Sequence, residues 1–155
     1  MQSLTVQYVL QQGISREIES QRLYHDLESR VQLPAARYAF SLLVRQEEEH
    51  QQILERYLKG GLTQGALDIR HVVDHRIAEH LQQPDVSPGM QLPDIFLLAA
   101  RRERNSYDFY TSLAGIHPEG KLKQLLIKMA SEELGHKQKV ESLYSEVAFP
   151  QTDGG

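Results

Sequence analysis

Four glutamates and two histidines carry the chain's most specific chemical signal: Glu17, Glu47, His50, Glu103, Glu133 and His136. Glu47 and His50, like Glu133 and His136, stand at i and i+3, so on a helix both side chains of each pair reach a common point from one face. Glu17 and Glu47 are 30 positions apart, and so are Glu103 and Glu133. A single shift of 86 carries Glu17 to Glu103, Tyr24 to Tyr110, Leu27 to Leu113, Glu47 to Glu133 and His50 to His136. Either Glu-x-x-His pair alone would be a weak motif; one offset shared by all six residues is a specific one, and marks an internal repeat. The chain has no cysteine, which removes iron–sulfur clusters, thiolate zinc, disulfides and a nucleophilic thiol together. Any metal must then be held by oxygen and nitrogen, a donor set suited to Fe, Mn or Zn.

Helices must position these residues. Proline and glycine punctuate the sequence at Leu33-Pro34, Lys59-Gly60-Gly61, Pro84 to Pro93, His117-Pro118 and the tail from Pro150 to Gly155. Between these breaks, segments at about 3–32, 34–59, 93–115 and 118–147 repeat apolar residues at spacings of three and four, which predicts four long helices. Pro34 and Pro118 suit a first helical turn, where a missing N–H costs nothing, and Asp94 is a candidate N-cap. Short turns predict two antiparallel hairpins, and residues 60–92 must cross the length of the bundle between them. Within that crossover, Ile69, Val72, Val73, Ile77 and Leu81 predict a short helix resting on the bundle. The expectation is one all-α domain over residues 1–149, with 150–155 a disordered tail.

The inward stripes place charge where a core should be. The first reads Val6, Leu10, Gly13, Glu17, Ser20, Tyr24, Leu27, Val31, and the second Ala36, Phe40, Leu43, Glu47, His50, Leu54, Tyr57. The third reads Leu92, Phe96, Ala99, Glu103, Ser106, Tyr110, Leu113, and the fourth Leu122, Leu126, Met129, Glu133, His136, Val140, Leu143. Each is apolar at its ends and ionisable in its middle. Four carboxylates buried at one level would repel, and no Lys or Arg falls on these stripes to answer them. Two divalent cations would make the layer formally neutral. The hairpin registry agrees, because the midpoint of Glu17 and Glu47 falls beside Pro34 and that of Glu103 and Glu133 on Pro118.

The motifs are Arg16-Glu17-Ile18-Glu19 running to Tyr24, Glu47-Glu48-Glu49-His50, Arg102-Glu103-Arg104 running to Phe109-Tyr110, and Glu132-Glu133-Leu134-Gly135-His136. Over residues from about 3 to 147 the chain resembles the ferritin-like superfamily, and within it the rubrerythrin-like di-iron carboxylate proteins. That resemblance implies a ferritin-like four-helix bundle with Glu47 and Glu133 bridging two metal ions, Glu17 and Glu103 as terminal ligands, and His50 and His136 adding one nitrogen to each. It makes Tyr24 and Tyr110 outer hydrogen-bond donors to ligands on the opposite hairpin. Two features depart from the pattern. Ser106 stands where rubrerythrins have a further glutamate, and the cysteine-bound rubredoxin-like domain is missing, so a peroxidase of this kind would need a separate electron-donor protein.

The implied activity is that of an oxidoreductase reacting with hydrogen peroxide or O2, as a peroxidase or a ferroxidase. Iron binding or storage without turnover, and a metal-stabilised structural or sensor bundle, stay open. A net charge of -4 without a basic block gives no footprint for nucleic acid or an anionic membrane, and no apolar run spans a bilayer. The start, Met1-Gln2-Ser3-Leu4, shows no leader pattern, so a cytoplasmic location is expected, and the resemblance adds a homodimer or larger homo-oligomer. Glu19, Glu48, Glu49 and Glu132 fall off the inward stripes and read as solvated or outer partners. His71, His75 and His80 with Asp74 and Glu79 invite a second metal site, but read better as the exposed side of the crossover helix.

Overall fold

A computed structural model describes residues 6–60, 74, 76, 79 and 87–149. They form four helices: α1 Val6–Arg30, α2 Pro34–Leu58, α3 Leu92–Ile116 and α4 Lys121–Ala148. Each is 25 to 28 residues long, or about 40 Å at 1.5 Å per residue. They pack mainly as two pairs, α1 against α2 and α3 against α4. Short loops make each pair an antiparallel hairpin, and fewer contacts join one hairpin to the other.

The helix ends follow local chemistry. Pro34 opens α2 in its first turn, as expected, and Pro93 does the same for α3. The N-cap of α3 is Gln91 rather than Asp94, which lies in the first turn, where its charge complements the exposed N–H groups. Pro118 is not helical either. It sits in the connection, and α4 starts at Lys121 behind Gly120. At the end of α2, Lys59 N–H bonds to Glu55 O at 3.1 Å and Gly60 N–H to Tyr57 O at 3.0 Å. Gly60 takes φ +95°, a conformation that favours glycine, and so stops the helix.

Two apolar cores lie along the bundle axis. One gathers Tyr24, Leu27, Phe40, Leu43, Phe96, Ala99 and Val140; the other gathers Leu10, Leu54, Tyr110, Leu122, Leu126 and Met129. All four helices contribute to both. Burial of each large side chain stabilises by about 1.5–3 kcal/mol, which gives the helices reason to pack despite the polar layer held between the cores. Gly13 marks one close approach: a Cβ there would stand 3.0 Å from Leu54 Cδ1 and 3.5 Å from the Tyr110 hydroxyl oxygen.

The crossover helix expected between residues 69 and 81, the histidines His71, His75 and His80, and the tail from residue 150 lie outside the described residues. Asp74 and Glu79 are described, and they are not a free exposed face. Asp74 Oδ1 and Glu79 Oε1 lie 2.6 and 3.0 Å from Lys137 Nζ, and Arg104 Nη1 reaches the two side chains at 3.6 and 3.4 Å. Among the described residues, no helix is long and apolar enough to cross a membrane.

Candidate metal centre

Six side chains meet between the two cores, and water is shut out from them. Glu17, Glu47, His50, Glu103, Glu133 and His136 are all buried, Glu47 completely and the others to within a few per cent. Helical pitch does the positioning: the i, i+3 spacing aims Glu47 with His50, and Glu133 with His136, into the bundle, while the antiparallel hairpins bring Glu17 and Glu103 to the same level. Every residue expected at the centre is therefore in it.

The contacts resolve into two overlapping groups. Glu17, Glu47, His50 and Glu133 bring one ligand atom each to within 4.8 Å of one another, and so do Glu47, Glu103, Glu133 and His136. Glu47 and Glu133 belong to both. Glu47 points one oxygen at each imidazole, Oε2 at 3.7 Å from His50 Nδ1 and Oε1 at 2.8 Å from His136 Nδ1. Glu133 Oε1 lies 2.8 Å from His50 Nδ1 and 3.9 Å from His136 Nδ1. Glu17 approaches His50 alone, at 3.7 Å, and Glu103 approaches His136 alone, at 3.6 Å. The two rings stack with centroids 5.4 Å apart.

Proximity here is not hydrogen bonding. Glu17 Oε2, both oxygens of Glu47 and of Glu133, Glu103 Oε2 and the Nδ1 atoms of His50 and His136 are buried without a hydrogen-bond partner. Orphaned polar atoms at such density would destabilise a fold by about 1–3 kcal/mol each. Converging lone pairs 2.8 to 3.9 Å apart are what a cation requires: neighbouring donors at bonds of about 2.1 Å lie about 3 Å from each other. The donor set fits metal ions.

Around this layer, polar groups hold the ligands in place. The Tyr24 hydroxyl donates to Glu103 Oε1 at 2.6 Å, and the Tyr110 hydroxyl to Glu17 Oε1 at 2.5 Å. Each tyrosine thus serves the glutamate of the other hairpin, as the resemblance implies. Burial, and then the charges of Glu103 and Glu17, push the two phenols well above their ordinary range, so both remain donors. His50 Nε2 is bonded to Glu132 Oε2, and Lys128 Nζ donates to the other oxygen, Oε1, at 2.5 Å. An ionised carboxylate can only accept, so Nε2 carries the hydrogen and the inward Nδ1 is left to bind. Arg102, which precedes Glu103, spans to α1 through Ser20 Oγ at 3.0 Å and Arg16 O at 3.1 Å.

No protein-family model, curated protein or solved structure matches the chain. The chemistry of the centre is accordingly read from its own geometry.

Glu132, which lies off the inward stripe and read as a solvated or outer partner, is an outer partner: the approach of α2 to α4 bonds it to His50. One group escaped the sequence reading. Lys137 is fully buried in contact with Asp74, Glu79 and Glu141, none of them on an inward stripe. The one sequence signal was Glu141 four residues after Lys137, a helical ion-pair spacing. Asp74, Glu79 and Glu141 could also hold a cation by distance, but the Lys137 ammonium already stands among them. Burial draws its proton affinity down, and the three carboxylates more than offset that.

Without metal, protonation relieves the layer beyond the two tyrosine bonds, and its sign is testable. Burial, and then the charges of Glu17 and Glu103, raise Glu47 well above the ordinary carboxylate range; burial with Glu103, Glu47 and Glu17 does the same to Glu133. Burial lowers the histidines, but facing carboxylates more than reverse this and raise both, led by Glu17 at His50 and by Glu103 at His136. A folded-state pKa above the unfolded value gives stability that is full below the unfolded pKa and lost as pH rises through the folded one. Glu17 and Glu132 work oppositely: burial raises them, the neighbouring hydrogen bonds and His50 charge hold both at about 2, and their contribution is lost only as pH falls towards that value. Chelator-treated protein is therefore expected to melt at a lower temperature at pH 8.5 than at pH 6. An unchanged or higher melting temperature at pH 8.5 would contradict the buried cluster.

Proposed function

We propose that the chain is a di-iron carboxylate oxidoreductase that reacts with hydrogen peroxide or O2, in the manner of a peroxidase or ferroxidase. The observation that carries this reading is the pair of four-residue groups sharing Glu47 and Glu133 in a single buried layer. Glu17 and His50 would hold one ion, Glu103 and His136 the other, and Glu47 and Glu133 would serve both. Four carboxylates and two neutral imidazoles balance two divalent cations. When bound, iron supplies one-electron redox chemistry at each ion, and two ions together match a two-electron reduction of peroxide.

The surrounding side chains support turnover rather than mere scaffolding. Tyr24 and Tyr110 hold Glu103 and Glu17 ionised and oriented, and Glu132 fixes the ring of His50. The two apolar cores keep bulk water from both ends of the layer. If the chain is a peroxidase, the resemblance makes a separate protein the donor of electrons for repeated turnover. The motifs resembling rubrerythrin-like proteins point the same way.

The test is anaerobic loading with Fe(II), measurement of iron per chain, and exposure to peroxide or air while near-ultraviolet absorption is followed. Repeated peroxide consumption with an added reductant supports the enzyme. A single stoichiometric oxidation favours storage or a structural role, and failure to bind iron at all removes the proposal. Tyr110→Phe is expected to leave the fold intact and weaken the ion held by Glu17 and His50 by about tenfold, the loss of one hydrogen bond to a charged group. Iron titration of the variant checks it, with equal weakening of both ions as the contrary result.

A further inference from the structure

The internal repeat is closely kept among the six ligands and broken just outside them. Glu133 Oε1 lies 2.8 Å from His50 Nδ1, and the related contact, Glu47 Oε1 to His136 Nδ1, is also 2.8 Å. Glu17 stands 3.7 Å from His50 and Glu103 stands 3.6 Å from His136. The tyrosine bonds to these two glutamates are 2.5 and 2.6 Å. Neither the ligands nor the tyrosines therefore distinguish one metal position from the other.

The outer nitrogens of the two histidines do. His50 Nε2 is bonded to Glu132, whose second oxygen is held by Lys128. The 86-residue shift puts Gln46 at the place of Glu132 and Leu42 at that of Lys128, so the corresponding pair in the other half carries no charge. Every polar contact of His136 with the described residues runs through its inward Nδ1, and Gln46 Oε1 is buried without a hydrogen-bond partner. Lys137, the residue after His136, supplies no substitute: its ammonium is bound to Asp74, Glu79 and Glu141, and it has no lone pair with which to accept the N–H of the ring. A carboxylate on the far N–H of an imidazole makes the near nitrogen a stronger donor to a cation and pins the ring, and an amide or water does less of both.

We propose that the two metal positions are unequal: the position of Glu17 and His50 fills first and retains its ion, the position of Glu103 and His136 is the one that exchanges, and the difference between Glu132 and Gln46 sets the gap. Outer carboxylates of this kind change metal affinity by about 10–100-fold, so the two dissociation constants are expected to differ by about tenfold or more. The inference rests on the reading of the layer as a metal centre, and is independent of which metal it holds and of any turnover.

The test titrates the metal-free full chain with Zn(II), which has no redox chemistry, by calorimetry and by nitrogen-15 NMR of the labelled imidazoles. His50→Gln and His136→Gln assign the two ring signals. Two steps are expected, with the His50 ring responding in the first and the His136 ring in the second. Glu132→Gln, which gives the first half the residue of the second, is expected to weaken the first step about tenfold and leave the second in place. The double variant Leu42→Lys with Gln46→Glu builds the ion pair into the other half, and is expected to strengthen the second step about tenfold instead. Because the two changes close the gap from opposite sides, a general loosening of the fold cannot produce both. The proposal is overturned if both rings respond together in the parent, if His136 responds first, or if both variants leave the gap as it was. Two ions bound with equal strength would remove this inference alone, whereas a failure of either ring to bind Zn(II) would remove the metal reading and this inference with it.

Discussion

Glu133→Ala and Glu47→Ala are each expected to abolish the binding of both ions, while Glu17→Ala and Glu103→Ala each abolish one. The difference follows from membership of the two groups: Glu47 and Glu133 stand in both, and the other two glutamates in one each. Loss of a shared carboxylate removes a donor from each ion and leaves the layer a charge short, an effect of about 4 kcal/mol or more, or about 1,000-fold in affinity. His136→Ala should behave like Glu103→Ala. Glu132→Ala is the informative control, because it touches His50 from outside the layer; a loss of about 10–100-fold is expected there, as for outer partners of metal-binding histidines. Metal content of the purified variants, with isothermal titration of Fe(II) under nitrogen, reads all of these. If Glu132→Ala were as damaging as Glu133→Ala, or if Glu17→Ala emptied both positions, the assignment of shared and unshared ligands would be wrong.

Restoring metal to the chelated protein is expected to raise its melting temperature by roughly 15 °C or more. A ligand at about 1,000 times its dissociation constant adds about 4 kcal/mol per site, and in a chain of this size each kcal/mol moves the midpoint by about 2–4 °C. Two sites therefore give a large shift. The rise should also grow with pH between 6 and 8.5, because metal displaces the protons that Glu47, Glu133, His50 and His136 otherwise retain. Differential scanning calorimetry with Fe(II), Mn(II) and Zn(II) in turn would check the size of the effect and rank the metals. A shift below about 3 °C with all three would mean that the layer is stabilised by something else.

Much of this centre was legible before any coordinates. A charged residue on the inward stripe of a long helix breaks the period that makes the helix pack, so Glu17, Glu47, Glu103 and Glu133 stand out against the leucines above and below them. The hairpin midpoints, beside Pro34 and on Pro118, then put each pair at one level, and the 86-residue offset related one pair to the other. The resemblance made Tyr24 and Tyr110 donors to the opposite hairpin, and the structure supplies their partners, Glu103 and Glu17. Helix boundaries were less well marked: Pro118 could open a helix and does not, because α4 begins behind Gly120. Lys137 was hidden because it lies one residue past His136, on a flank that reads as solvent until the carboxylates of Asp74 and Glu79 are brought against it.

The crossed bonds of Tyr24 to Glu103 and Tyr110 to Glu17 link residues 79 and 93 positions apart, the one in the first hairpin and the other in the second. Neither half can complete either ion's surroundings, because each group of four draws a carboxylate from the opposite half. A first hairpin alone offers three of the four donors of its group and lacks its tyrosine clasp. If the layer holds metal as proposed, tight binding would therefore wait until both halves have closed on each other.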